Sequence, residues 1–501
     1  MKPLKQYYTQ NPLTIIIVIA LLVRIVCVIF AKGFGMYDDH FLIIENSRSW
    51  LSGHNYGGWL PIYGNIGANP QGHSLLYAIV SYCVFWVLSL FGLTELNSQM
   101  YFVRLFLALF SLLTVYFGYK IVKYETKNTN SANAVGWLLA LYWFFPWLAV
   151  RNLVEVVCVP FLLWGLWLYI CSKESKKPLL LICYSALIMS IGMGIRLQAV
   201  FFVGGFGLAL LIKKEWKQAI VFALTFCVGF FATQVTDLVM WHRPFAEMAE
   251  YVRYNLASSG AYPNAPWYQY FIVLFGLLLP PFSILLLVGF FYEWKRLYLF
   301  LPTFAFFFFH SIFPNKQERF ILTIVPMVII LGMIAIWDWG NKYEYKKGLM
   351  KTIKVCFVVS CVINFIFLVP VCVHYSKRAR VESMVYLSHQ TNVNAFAIEN
   401  TNTDNVTLAP RTYINYDAKV YYISNETKEV WDSAISVRPQ YIIFEGEKNL
   451  ALRVAKMKIK YPLLEYKTTK TASFIDRLLQ KMNPRHIKNN DMFIYKTNVS
   501  K

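Results

Sequence analysis

The chain has 501 residues, 57% of them hydrophobic and 18% aromatic, with 15% charged and a mean hydropathy of +0.44. Soluble domains carry about 25% charged residues, so this composition excludes a soluble globular protein and specifies an integral membrane protein. The formal net charge of +21 does not mark a nucleic-acid binder, because the Lys and Arg residues gather in short clusters between apolar runs, where they act as orientation signals.

The chain opens on a basic flank, "MKPLKQYYTQNPL". The apolar run after it lacks a small-residue cleavage site, so it reads as a signal anchor. Directly behind that run stands "GMYDDHFLIIENSRSWLSGHNYGGW", residues 35–59. It sets Asp38 and Asp39 where a membrane helix leaves the bilayer, and Glu45 about two turns later if the segment is helical. A carboxylate there suits a general base that takes a proton from an attacking hydroxyl. The plainer reading is a solvated acidic loop. His40 adds a donor for a metal, but adjacent acids on a helix diverge, and no metal site is expected.

Apolar runs long enough to cross about 30 Å of hydrocarbon begin near Leu13, Tyr101, Asn133, Leu153, Pro178, Leu197, Gln218, Gln269, Leu297, Phe320 and Ile353. A further run, "HSLLYAIVSYCVFWVLSLFGL" from His73, decides the topology of everything behind it. If it does not cross and the N-terminus is cytoplasmic, "KIVKYETK", "SKESKKP", "IKKEWKQ", "YEWKRL" and "NKYEYKKGLMKTIK" all face the cytoplasm. If it crosses, all five violate the positive-inside rule. The expectation is therefore about 11 transmembrane helices, a large first extracytoplasmic loop, and a C-terminal tail outside.

That arrangement collects the unusual polar groups on the outer face, where converging ionisable residues mark a site. "RNLVEVV" sets Arg151 and Glu155 four residues apart, on one face of a helix: a locking ion pair, or a phosphate grip oriented by its acid. Arg196 in "GMGIRLQAV" follows two glycines that let a backbone or a headgroup come close; the alternative is an Arg snorkelling outward. The loop from "TDLVMWHRPF" carries Asp237 and the aromatics Trp241, Trp267, Tyr268 and Tyr270, which suit either an interfacial belt or a sugar-stacking surface. "PNKQERF" sets Lys316, Glu318 and Arg319 at the start of a span, where backbone N–H groups, helix dipole and guanidinium favour an anion.

From about Ser376 the texture turns polar. "NAFAIENT", "KVYYISN", "PQYIIFEG" and "DMFIYKT" read as strands, and "NLALRVAKMKIKY" and "SFIDRLLQKM" as helices. The expected organisation is a membrane domain over 1–375 and a small extracytoplasmic α/β domain over 376–501, read as a scaffold or acceptor-docking module. The nine cysteines all lie in apolar stretches without a CxxC, so they read as buried packing thiols.

Taken together, these segments resemble the GT-C glycosyltransferases, most closely glycosyltransferase family 22, the mannosyltransferases that extend glycolipid-anchor and N-glycan precursors. "MYDDHFLIIENSRSWLSG" keeps the family's acid pair at Asp38 and Asp39, then Phe41, Glu45 and Gly53, with Met36 and Tyr37 in place of His-Pro. "NKQERF" keeps Lys316, Glu318, Arg319 and Phe320, with Asn315 and Gln317 as departures. "DLVMWHRPF", "RYNLASSG" and "APWYQY" echo its outer-loop pattern, and "RNLVE" fits in order. The resemblance covers roughly residues 13 to 375.

It implies an inverting transfer from a polyprenyl-phosphate sugar to an acceptor hydroxyl across the membrane from the cytosol, the acceptor being a glycan, glycolipid or protein. Asp38 would be the base, with Asp39 or Glu45 as its orienter. Lys316 and Arg319, joined by Arg151 and Arg196, would neutralise the departing lipid phosphate, with Glu155, Glu318, Asp237, Trp267 and Tyr268 in support. No cofactor, divalent metal or nucleic acid is expected beyond the lipid-linked substrate and the membrane lipids. The outer α/β tail points to a bacterial inner membrane. Two rivals use similar groups: a transporter or flippase of lipid-linked sugars, and a glycan ligase or polymerase acting on a lipid diphosphate.

Overall fold

A computed structural model describes residues 10–58, 70–257, 265–342, 347–402, 406–414, 416–424, 437–484 and 487–498. The chain divides into two compact units, one of residues 1–28, 58–80 and 103–372, the other of 29–57, 81–102 and 373–501. The second unit thus joins two early segments to the C-terminal part.

The first unit is helical. Helices stand at every apolar run singled out above, and Leu75–Leu90 adds another. Among the described residues, seven are long and apolar enough to cross a membrane: Pro12–Phe30, Leu96–Thr126, Val154–Ser172, Pro178–Ile195, Trp216–Trp241, Glu318–Lys342 and Lys347–Cys372. Leu197–Ile212, Leu297–Ile312 and Leu75–Leu90 are shorter and apolar. Local chemistry sets the ends. Pro160 and Pro178 occupy first-turn positions, where the missing N–H costs nothing. Asn128 caps Thr129–Leu141 by accepting the Ser131 amide at 3.0 Å.

Glycine sets the closest helix contacts. A Cβ at Gly332 would fall 2.7 Å from the backbone of Leu286, and one at Gly205 would fall 2.5 Å from the Leu301 carbonyl oxygen. The pairs Phe282–Tyr292 with Val325–Lys342, and Val200–Ile212 with Leu297–Ile312, therefore pack backbone against backbone. The glycines before Arg196 make room for side chains instead: a Cβ at Gly194 would meet the Thr233 side chain at 2.8 Å, and one at Gly192 the Phe161 side chain at 3.2 Å. The cysteines depart from expectation. Cys27, Cys158 and Cys372 are buried, but Cys83, Cys227 and Cys361 are exposed, on helix faces that turn apolar side chains outward.

The lysine-bearing loops meet at one end of this unit. Arg296 binds Glu125 at 2.6 Å, Glu293 at 2.7 Å and Asp338 at 2.8 Å. The Tyr298 hydroxyl also donates to Glu125, Lys173 lies 4.2 Å over the Tyr298 ring, and Lys213 donates to the Tyr169 hydroxyl at 3.1 Å. Glu155, Arg196 and Arg319 stand at the other ends of helices whose near ends carry Lys173, Lys177 and Asp338. The helices themselves separate the two charge groups.

Among the described residues of the second unit, five strands form a sheet in the order β2-β1-β3-β5-β4. They are β1 Ala395–Glu399, β2 Lys419–Ile423, β3 Tyr441–Glu445, β4 Glu465–Lys470 and β5 Met492–Lys496. β1 pairs parallel with β2 and β3, while β5 runs antiparallel to β3 and β4. β1 and β3 are wholly buried, which fits sequences that are apolar up to the closing Glu399 and Glu445. Arg378–Ser388, Leu450–Lys460 and Phe474–Met482 complete the α/β part. Four strands and two helices match the sequence reading; β4 and Arg378–Ser388 were not foreseen.

The early segments are built into this unit. Gly33, at φ +74°, bridges to Ser376, whose amide donates to the Lys32 carbonyl at 3.2 Å. A Cβ at Gly33 would fall 1.8 Å from the Ser376 oxygen, so only glycine fits. Ser47 binds Ser81 at 3.2 Å, and Arg48 donates to the Thr94 carbonyl at 3.0 Å. The chain before Leu75–Leu90 therefore meets both that helix and the chain after it.

Candidate active site

The acidic segment begins with a π-helical turn, Asp39–Ile44, that runs into the α-helix Glu45–Leu51. Such widened turns are uncommon and concentrate at functional sites. Asp38 precedes the turn and is half-buried, beside an exposed Tyr37. Asp39 is buried and accepts the backbone amides of Gly35 at 2.9 Å and Met36 at 3.1 Å, which closes the chain back on itself.

Glu45 is fully buried, and its partners differ from the Asp38-orienting role in the sequence reading. It accepts from the Thr412 hydroxyl at 2.6 Å, the Thr412 amide at 3.1 Å and the Tyr416 hydroxyl at 2.7 Å, and it meets His40 Nε2 at 3.0 Å. His40 stacks on Phe34 and Tyr413. Burial, with the Glu45 charge alongside, raises the Tyr416 phenol well above its ordinary pKa. Glu45 thus fastens the acidic segment to the turn Arg411–Tyr413, within the same unit.

The cationic group lies in the first unit. Residues 151–153 are not helical, and the helix starts only at Val154, so Arg151 and Glu155 do not form the expected same-face pair. Arg151 lies 4.5 Å over the Trp147 ring. Glu155 binds Arg196 instead, at 2.6 Å, and its same oxygen is 3.8 Å from Arg319 Nε. Both guanidiniums face the Phe320 ring, at 5.5 and 5.4 Å.

Arg196 sits in extended backbone just past Pro178–Ile195 and is 5% exposed. Its Nε and Nη2 are buried and find no hydrogen-bond partner among the described residues; the second oxygen of Glu155 is in the same condition. Leaving such donors unsatisfied costs about 1–3 kcal/mol each, more for charged groups, so they ask for an oxygen-rich ligand. Lys316 donates to the carbonyls of Ala265 at 2.9 Å and Phe313 at 2.6 Å, and burial lowers its pKa. Glu318 faces solvent. Among the described residues, no group of three or more His, Cys, Asp and Glu side chains is arranged to hold a metal.

A family model for Alg9-like mannosyltransferases matches residues 15–414. The chain belongs to the Alg9-like mannosyltransferase family. No curated protein matches it in sequence. Its fold is that of ArnT from Cupriavidus metallidurans: the undecaprenyl phosphate-bound crystal structure is 13% identical, with TM-score 0.59, 97% of this chain covered and 98% of that one. The apo structure is 12% identical, with TM-score 0.61 and 98% of each chain covered. The archaeal oligosaccharyltransferase AglB from Archaeoglobus fulgidus, in complex with an inhibitory peptide and a dolichol-phosphate, is 10% identical, with TM-score 0.50, 92% of this chain and 73% of that one covered. The molecule is a multi-pass membrane glycosyltransferase with a GT-C fold and a small C-terminal sheet domain.

The match to the Alg9-like mannosyltransferases runs to residue 414, past the expected limit of the resemblance near 375, and so takes in Thr412. The residues of the aromatic loop fall into two kinds. Trp267 and Tyr268 are exposed, whereas Tyr270, expected beside them, is buried and donates to the Gln317 carbonyl at 3.1 Å. Asp237 is buried and accepts the Glu247 amide at 2.9 Å. Glu247, absent from the sequence reading, accepts from the amides of Gly72 at 2.7 Å and His73 at 3.2 Å and from Trp241 Nε1 at 2.9 Å. Burial pushes its pKa up to about 7, against the hydrogen bonds that favour the ionised form. Tyr251, also absent from the sequence reading, lies in the electrostatic neighbourhood of Arg196, Glu155 and Arg319. Nothing in the spacing of Glu247, Thr412 or Tyr416 signals the contacts with Gly72, His73 and Glu45, because each of those partners lies more than 170 positions away.

Proposed function

We propose that this mannosyltransferase-family enzyme transfers one sugar from a polyprenyl-phosphate donor to an acceptor hydroxyl on the extracytoplasmic side, with inversion at the anomeric carbon. The acceptor oxygen attacks that carbon as its bond to the phosphate oxygen breaks. Asp38 takes the hydroxyl proton, and the lipid phosphate leaves as an anion. Arg196 and Arg319 receive it, with Arg151 and Lys316 adding positive charge, and Glu155 orients the two guanidiniums.

The observation that carries this reading is Arg196, a buried guanidinium that holds one carboxylate and keeps two further N–H-bearing nitrogens for another anion. The lipids bound in the similar structures, undecaprenyl phosphate in ArnT and a dolichol-phosphate in AglB, support the donor class. The separation of the lysine-bearing end from the Glu155–Arg196–Arg319 end supports the outer side as the place of reaction, since clustered lysines favour the cytoplasm.

The test uses membranes containing the full chain, a polyprenyl-phosphate mannose donor and a glycan or glycolipid acceptor. Asp38→Asn is expected to lower transfer by about 10²–10⁴-fold at normal expression. Arg196→Gln is expected to weaken donor use while leaving acceptor affinity unchanged. Unimpaired transfer by Asp38→Asn would refute the base assignment, and a retained anomeric configuration in the product would refute the single displacement.

A further inference from the structure

The helix Phe474–Met482 is arranged inside out. Its acid faces inward: Asp476 is 1% exposed and is held by His374 Nε2 at 3.2 Å and by Asn489 Nδ2 at 3.1 Å. Its apolar side chains face outward, with Phe474 80%, Leu478 45%, Leu479 38% and Met482 74% exposed. At about 100° per residue these four fall within one arc of roughly 140°. Arg477 and Lys481 lie along one border of that arc, and both are exposed. Arg477 also pairs with Asp491 at 3.2 Å.

Water is a poor medium for that face, and a lipid surface is a good one. A short helix with a large apolar arc bordered by basic residues lies in the plane of a bilayer, with the arc in the acyl boundary and the cations at the phosphates. The position is set by the chain itself. His374 comes two peptide units, at most about 7 Å, after Cys372, the last residue of the long apolar helix Lys347–Cys372. The His374–Asp476 contact therefore holds the inverted helix close to the point where the chain leaves the membrane.

We propose that Phe474–Met482 is an interfacial foot, through which the C-terminal domain rests on the lipid bilayer at the exit of the last membrane helix. The partner is the bilayer, and anionic headgroups complement Arg477 and Lys481. This contact is independent of the sugar-transfer chemistry: a failed Asp38 test leaves it standing, and the reverse holds too.

The experiment uses the full chain in nanodiscs of phosphatidylcholine and phosphatidylglycerol, with a diazirine amino acid at position 474, 478 or 482. Photolysis is expected to give phospholipid adducts at all three positions. Adducts to another polypeptide or to a second copy of this chain would overturn the proposal, as would the absence of lipid adducts. A second arm compares amide exchange in the variant Phe474→Ser/Leu478→Ser/Met482→Ser. These side chains are exposed, so the sheet should stay folded, with unchanged exchange over 441–445. In nanodiscs, exchange over 474–482 is expected to be about tenfold faster than in the unsubstituted chain. Equal exchange over that helix would overturn the foot.

Discussion

Glu247 shows how much a single buried side chain governs here. Its carboxylate accepts the amides of Gly72 and His73 and the indole N–H of Trp241, while burial holds its pKa near 7 against an ordinary 4.5. Between those values the unfolded chain has released the proton and the folded chain keeps it. Stability attributable to this group is therefore greatest below pH 4.5, falls as pH rises toward about 7, and is level beyond, with an upper bound of about 3 kcal/mol. Unfolding temperatures at pH 5 and pH 7.5 are expected to show that fall, and Glu247→Gln is expected to flatten it; an unaltered slope would assign it elsewhere. At this scale the sequence disclosed residue types better than partners. Asp38, Arg196 and Arg319 stand out as charges at span ends. That Glu155 serves Arg196 and not Arg151 was hidden, because a local four-residue spacing suggests a pair only if the backbone between is helical. Arg151, Asn152 and Leu153 are not.

Among elements, apolar length was the dependable signal, since a run that must cross hydrocarbon has to satisfy its own backbone hydrogen bonds. Every run read as a span is helical. The buried strands β1 and β3 were legible for a related reason, being short and apolar up to a closing glutamate. β4, "EYKTTK", escaped because it lies at the sheet edge with exposed residues and carries no apolar alternation. Arg378–Ser388 escaped because its buried set includes a serine and half of its remaining residues are charged. Which glycines matter was equally obscure, since only packing distinguishes them. Gly332→Ala is expected to destabilise the protein by about 1–3 kcal/mol, because its methyl would press on the backbone of Leu286. Gly204→Ala, which meets nothing within 4 Å, should be neutral or mildly stabilising. Detergent unfolding curves of the two variants make the comparison, and equal stabilities would contradict the packing account.

For the molecule as a whole, the contact of Arg48 with Thr94 bears on topology. A charge count says which loops share a side and not which residues touch. Cysteines introduced at Ser52 and Thr94 are expected to react with a membrane-impermeant maleimide from the same side, and one at Lys176 only after permeabilisation. Reaction of Ser52 and Thr94 from opposite sides would remove the shared outer face. The division into two units was not legible either. The sequence places a boundary near residue 375, whereas residues 29–57 and 81–102 cluster with the C-terminal part.

Glu45 and Thr412 are separated by 367 positions, and that gap has a bearing on biogenesis. When the acidic segment leaves the ribosome, the residues that fill its buried carboxylate have not been synthesised. The enzyme's first loop must wait, unsealed, through the insertion of nearly every later helix, so its final geometry is an event of the end of translation and not of the beginning.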